Sequence, residues 1–124
     1  MRAAILAVIL VALAAPAKGQ IASKQTGAVG WGMHTCGEFA NQYMKNIHTE
    51  QVYFAWTQGY ITALNSMRLV QDKPILNLQP SSFGPEVQMD FIRGFCSEAP
   101  LKPYLNAVGA LWEMIEGLNR MAPN

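Results

Sequence analysis

Apolar residues return at every third or fourth position over four stretches of this chain, the spacing of one face of an α-helix. From Thr35 onward, Cys36, Phe39, Ala40, Tyr43, Met44 and Ile47 share a face. A longer stretch after Thr49 sets Val52, Trp56, Gly59, Ala63 and Met67 on one side, flanked by Tyr53, Tyr60 and Leu64. The third begins at Pro85 and carries Val87, Phe91 and Phe95 on one stripe, with Met89, Ile92 and Cys96 beside it. The fourth, Pro103 to Leu118, aligns Tyr104, Leu105, Val108, Leu111, Trp112, Ile115 and Leu118. No alternation of apolar and polar residues is long enough to predict a strand. The pattern predicts an all-α fold, a small bundle of about four helices over residues 34–120.

The ends of these stretches carry stop and start signals. Thr35-Cys36-Gly37-Glu38 matches a capping box, in which the threonine side chain accepts from the backbone and the glutamate reaches back. Thr49 is placed to cap the second helix, and Pro85 suits a first helical turn, where its missing N–H costs nothing. Ala99-Pro100 ends the third helix. Gly59 inside the second helix costs about 1 kcal/mol relative to alanine, which predicts compensation through close approach of a neighbouring helix. Residues 72–84, with two prolines and Gly84, break the periodicity and predict a loop whose Ile75, Leu76 and Leu78 pack as a lid.

The N-terminus has a different character. Met1-Arg2 is a short basic start, Ala3 to Ala15 is an apolar run, and Ala15-Pro16-Ala17 offers small residues for cleavage. That run is short of the roughly 20 apolar residues that a spanning helix needs. Residues 1–17 therefore read as an export signal and the mature chain as periplasmic, with no membrane span once the signal is removed. Residues 18–33, rich in Gly, Lys, Ser and Gln, read as a flexible leader that becomes ordered near Trp31.

Export changes how the composition is read. The apolar share of 51% is inflated by the signal, and without it falls to the ordinary globular range. Lys and Arg total nine against eight Asp and Glu, so losing Arg2 leaves the mature chain balanced. A neutral chain lacks the basic stripe that a nucleic-acid binder uses to displace counterions. Cys36 and Cys96 are the chain's two cysteines. In an oxidising compartment an even pair most simply forms one disulfide. Redox chemistry or metal binding is the competing use, but neither a C-x-x-C pair nor a short-spaced zinc set is present.

The remaining polar residues do not assemble a catalytic or metal-binding set, so the chain reads as a non-enzyme without cofactor or metal. His34 and His48 have no metal-ligand spacing and read as a capping or solvated histidine and an exposed loop histidine. Ser81-Ser82 lacks a nucleophile-elbow context and reads as a turn. Glu113 and Glu116 read as a solvated helix face, and Gly27 to Gly32 lacks the Gly-Lys-Ser/Thr of a phosphate loop. The aromatic and methionine residues are more informative. Two broad apolar faces on the second helix cannot both pack inside so small a bundle. Tyr53, Phe54, Tyr60 and Met67 are therefore the candidate partner-binding residues, for a protein client or effector, or for a second copy in a homodimer.

Two resemblances sharpen this expectation. Trp31-x-x-x-Thr35-Cys36-Gly37-Glu38-Phe39, a central hydrophobic helix, Cys96 followed by Pro100, and a final Leu/Trp-bearing helix resemble the HdeA/HdeB family over roughly residues 31–118. That family consists of small periplasmic helical acid-stress chaperones with one disulfide, so the resemblance implies client binding in acid and carries Cys36 and Cys96 over as the bridge. The segment Tyr53-Phe54-Ala55-Trp56-Thr57-Gln58-Gly59-Tyr60-Ile61 is similar to the Rap1a/Tai-type immunity proteins, which neutralise type VI secretion effectors. The chain departs from the charge-dense HdeA pattern, with only 14% charged residues.

Overall fold

The Thr35 side chain accepts from the Glu38 amide while the Glu38 carboxylate accepts from the Thr35 amide, and this capping box starts the first helix. The computed structural model describes residues 28–121. The expected export signal over residues 1–17, and residues 18–27 of the expected leader, lie outside the described residues. Within them the order is a 3-10 turn at Gly30–Met33, α1 at Cys36–Lys45, α2 at His48–Val70, α3 at Pro85–Glu98 and α4 at Tyr104–Met121. The fold is all-helical, with no strand among the described residues. Among the described residues, an isolated β-bridge pairs Thr35 with Pro103.

The helix ends follow the local chemistry of the chain. Pro85 occupies the first turn of α3 behind Gly84, and Ala99 closes that helix with its amide on the Phe95 carbonyl. The start of α2 differs from expectation. It begins at His48, with Ile47 rather than Thr49 at the N-cap position, and just ahead of it Asn46 Oδ1 accepts from the His48 amide.

Cys36 and Cys96 form the disulfide, with Cα atoms 4.8 Å apart and a sequence separation of 60. It joins the first residue of α1 to the end of α3. Backbone bonds converge on the same corner, where the Cys36 amide donates to Lys102 O at 2.8 Å and the Tyr104 amide to His34 O at 2.7 Å. At Gly37 an added Cβ would come within 3.2 Å of the Pro100 carbonyl, so the α3–α4 turn lies directly against α1.

The core is built from Cys36 and Phe39 of α1, Tyr53, Phe54 and Ile61 of α2, Ile92 and Cys96 of α3, and Tyr104, Ala107, Val108, Leu111 and Ile115 of α4. The faces expected for α1 and α4 contain most of these residues, although Met44 and Ile47 stand exposed where α1 runs out. On α3 the buried side is the flanking Ile92 and Cys96 with Gln88, while Val87 of the expected stripe is exposed and Phe91 and Phe95 are half-buried. On α2 the buried face is rotated. Glu50, Tyr53, Phe54, Thr57 and Ile61 face inward, while Val52, Gly59, Ala63 and Met67 face outward. Buried Thr57 and half-buried Asn65 and Arg68 hydrogen-bond from this side of α2 to other parts of the chain. Among the described residues no buried side-chain polar atom lacks a partner.

Candidate functional site

Of the four residues expected to meet a partner, two are inside. Tyr53 is fully buried, its ring 4.8 Å from Trp31, 5.0 Å from Phe39 and 4.9 Å from Tyr104. Its hydroxyl shares a 2.6 Å hydrogen bond with His34 Nδ1, which makes His34 a packed partner of the core edge rather than a solvated residue. Burial, with the Glu38 carboxylate adding to it, pushes the Tyr53 phenol up to about 12. Phe54 is 7% exposed and belongs to the same core. Both are corrections to the expectation of a free surface, because the rotation of α2 turns them inward.

Met67 remains at the surface, and Tyr60 is half-buried against the edge of the core. Met67 is 52% exposed, and the Tyr60 ring stacks on Trp56 with centroids 5.3 Å apart and planes 16° from parallel. Trp56 is the fixed point of this face. Its indole N–H donates to the Val29 carbonyl at 3.2 Å, and its ring lies over Gly32. A Cβ on Gly32 would fall 2.0 Å from the ring, so only glycine permits the contact. The close approach expected at Gly59 therefore occurs at Gly32. Around Gly59 the space is open, with nothing within 4 Å of an added Cβ. Ala28, Val29, Ala55, Trp56, Gly59 and Tyr60 border a shallow groove of about 380 Å³.

A second polar chain runs through the interior. The hydroxyls of Thr57 and Tyr104 lie 2.9 Å apart, and Thr57 also donates to the Tyr53 carbonyl at 3.1 Å. Burial raises the Tyr104 phenol well above its ordinary value, so this network is neutral over the physiological range. Glu50, nearly buried at the first turn of α2, pairs with Arg93 of α3, which also pairs with Asp90. Glu116, expected to be solvated, is held by Arg68 at 2.8 Å, while Glu113 is exposed. His48 is exposed at the start of α2, and Ser81 and Ser82 are exposed in the loop. Among the described residues no three His, Cys, Asp or Glu side chains gather as a metal site would need. Among them, too, no helix is long and apolar enough to cross a membrane.

Periodicity missed two groups of residues. One is the Val29–Gly32–Trp56 latch, for which the Gly-Trp-Gly run at 30–32 was the available signal. The other is the set Asn65, Arg68, Gln88 and Asn119, polar residues at the edges of buried helix faces, which fasten the loop between α2 and α3. Compared with known proteins, the chain matches no family model, no curated protein and no solved structure.

Proposed function

We propose that this chain is an exported helical binding protein of HdeA/HdeB type, which holds client proteins by non-covalent contact in the periplasm under acid stress. The observation that carries the reading is the outward face of α2. Val52 and Met67 are exposed large apolar residues there, and Trp56 and Tyr60 wall an open groove between them. An apolar surface of this kind on a small domain suits contact with another polypeptide. The charge balance supports the acid setting. Below about pH 3 the carboxylates are protonated, and the eight Lys and Arg that follow Arg2, with two His, leave a charge of about +10. Such a charge keeps a client-loaded chain soluble by self-repulsion, and the disulfide limits how far it opens.

Light scattering of an acid-labile client at about pH 2 to 3, with and without the mature chain, tests the reading. Suppressed aggregation that weakens in a Trp56→Ala, Met67→Ser variant is the expected result. Unchanged aggregation with the wild-type chain would reject it. The rigidity of Trp56, latched to Val29 and stacked on Tyr60, favours a second reading: a Rap1a/Tai-type immunity protein with a preformed surface for one effector. Recovery of a stoichiometric toxin from periplasm, with no effect on acid aggregation, would select it.

A further inference from the structure

The connection between α2 and α3 is laid down as if it were a bound peptide. The chain turns at Asp72, whose φ of 53° is in the left-handed region, then crosses the ends of α2 and α4 outside any helix or strand before bending at Leu78 and Gln79. Four side chains from three helices read six of its backbone groups. Arg68 Nε donates to Pro74 O at 2.7 Å. The Asn65 carboxamide takes both sides of one residue, donating to Leu76 O at 3.0 Å and accepting from Leu76 N at 2.9 Å. Asn119 does the same for Asn77, at 2.8 Å from its amide and 3.0 Å from its carbonyl. Gln88 donates to Leu78 O at 2.8 Å.

An asparagine amide that pairs with the N–H and C=O of a single residue reproduces what a neighbouring strand would offer. It reads the backbone and is indifferent to the side chain. The side chains of the segment alternate as those of a strand do on a surface. Leu76 and Leu78 are half-buried against the core, while Ile75, Asn77 and Gln79 are exposed. The seat is only partly filled, for open grooves of about 260, 350 and 220 Å³ border the segment on its flanks. Its hold on the bundle is therefore mostly generic, through contacts that another extended chain can make equally well.

We propose that this cleft, between the ends of α2 and α4 and closed by Gln88 of α3, is a backbone-reading peptide site. The chain occupies it with its own residues 74–78, and an extended segment of a client protein with apolar residues at i and i+2 displaces them. The proposal rests on the client-binding reading and names what part of a client is recognised. The tethered segment competes at a high effective concentration, so an outside peptide binds weakly until the segment is unseated.

The experiment uses the full mature chain with its disulfide and a labelled peptide of the sequence Pro-Ile-Leu-Asn-Leu-Gln-Pro, residues 74–80. Unseating the segment in a Leu76→Gly, Leu78→Gly variant should tighten peptide binding at least about tenfold, because the competent fraction of sites rises. N-methylation of the peptide at the positions of Leu76 and Asn77 should abolish binding, as should adding Asn119→Leu to the variant. Equal binding of methylated and unmethylated peptides, or none, overturns the proposal. A second measurement uses the wild-type chain and does not depend on the variant folding. Excess peptide should speed hydrogen exchange at the Leu76 and Asn77 amides while leaving α2 and α4 unchanged, and no acceleration also overturns it. A chain that suppresses client aggregation yet shows neither effect loses this site and keeps the client-binding reading. Peptide displacement without suppression does the reverse.

Discussion

The ring of Trp56 occupies the space where any side chain at position 32 would have to begin: a Cβ on Gly32 would be 2.0 Å from its Cη2 atom. The contact joins the 3-10 turn ahead of α1 to the middle of α2, and the Trp56–Val29 hydrogen bond reinforces it across 27 residues of chain. Gly32→Ala should push the indole outward, at a cost of about 1–3 kcal/mol, the range for overfilling a packed contact. Denaturant unfolding checks this, and a double-mutant cycle gives the cause. In a Trp56→Ala background the same change should cost little, because nothing then fills the space.

The disulfide encloses most of the bundle. For a closed loop of 60 residues, the chain-entropy relation gives about 4 kcal/mol, with its origin in the unfolded state depending on the treatment used. Replacing both Cys36 and Cys96 by serine should lower the unfolding free energy by about that amount. Equilibrium urea curves of oxidised and substituted chains measure it, and identical midpoints would show that the bridge adds nothing.

The Thr57–Tyr104 pair predicts an asymmetry. In Tyr104→Phe, Thr57 keeps its bond to the Tyr53 carbonyl, so the loss should be about 0.5–1.5 kcal/mol. Thr57→Val leaves the Tyr104 hydroxyl buried with no partner and should cost more, about 1–3 kcal/mol. Thermal unfolding of the two variants side by side ranks them, and the opposite order would mean that Tyr104 finds another acceptor.

The two ends of the pH range act through different residues. Glu38 accepts first from the Thr35 amide and then from its hydroxyl, and these bonds hold its carboxyl below the ordinary value of 4.5. A pKa lowered by folding gives stability that is present above the unfolded value and lost as pH falls through the folded one. Tyr53 has the reverse sign. Its pKa rises from 10.0 to about 12, so its contribution is complete below pH 10 and disappears as pH climbs through about 12. The urea midpoint should decline at both extremes. Glu38→Ala should flatten part of the acid side and Tyr53→Phe part of the alkaline side.

The helices themselves were legible because their caps and breakers are local: Thr35 with Glu38, Gly84 before Pro85, and Ala99 before Pro100 all act within a few residues. The inward faces of α1 and α4 followed from apolar spacing alone. The orientation of α2 did not. Apolar residues surround that helix, and its inward side makes contacts that spacing does not show, among them the hydrogen bonds of Thr57, Asn65 and Arg68 to partners 11 to 48 residues away. The expectation at the surface failed for the same reason. Tyr53 and Phe54 were chosen by their chemistry, while their burial depends on which side of α2 meets Phe39 and Tyr104. Met67 stayed exposed because it lies on the outward side of that helix.

The bond between Cys36 and Cys96 makes a covalent ring of α1, α2, the connecting loop and α3, leaving α4 outside it. A protease that severs the exposed run 71–75 therefore opens the ring without releasing either piece. The two fragments travel together on a non-reducing gel and separate only when a reductant is added. A protein built in this way tolerates a nick at this exposed connection and keeps its helices in one particle.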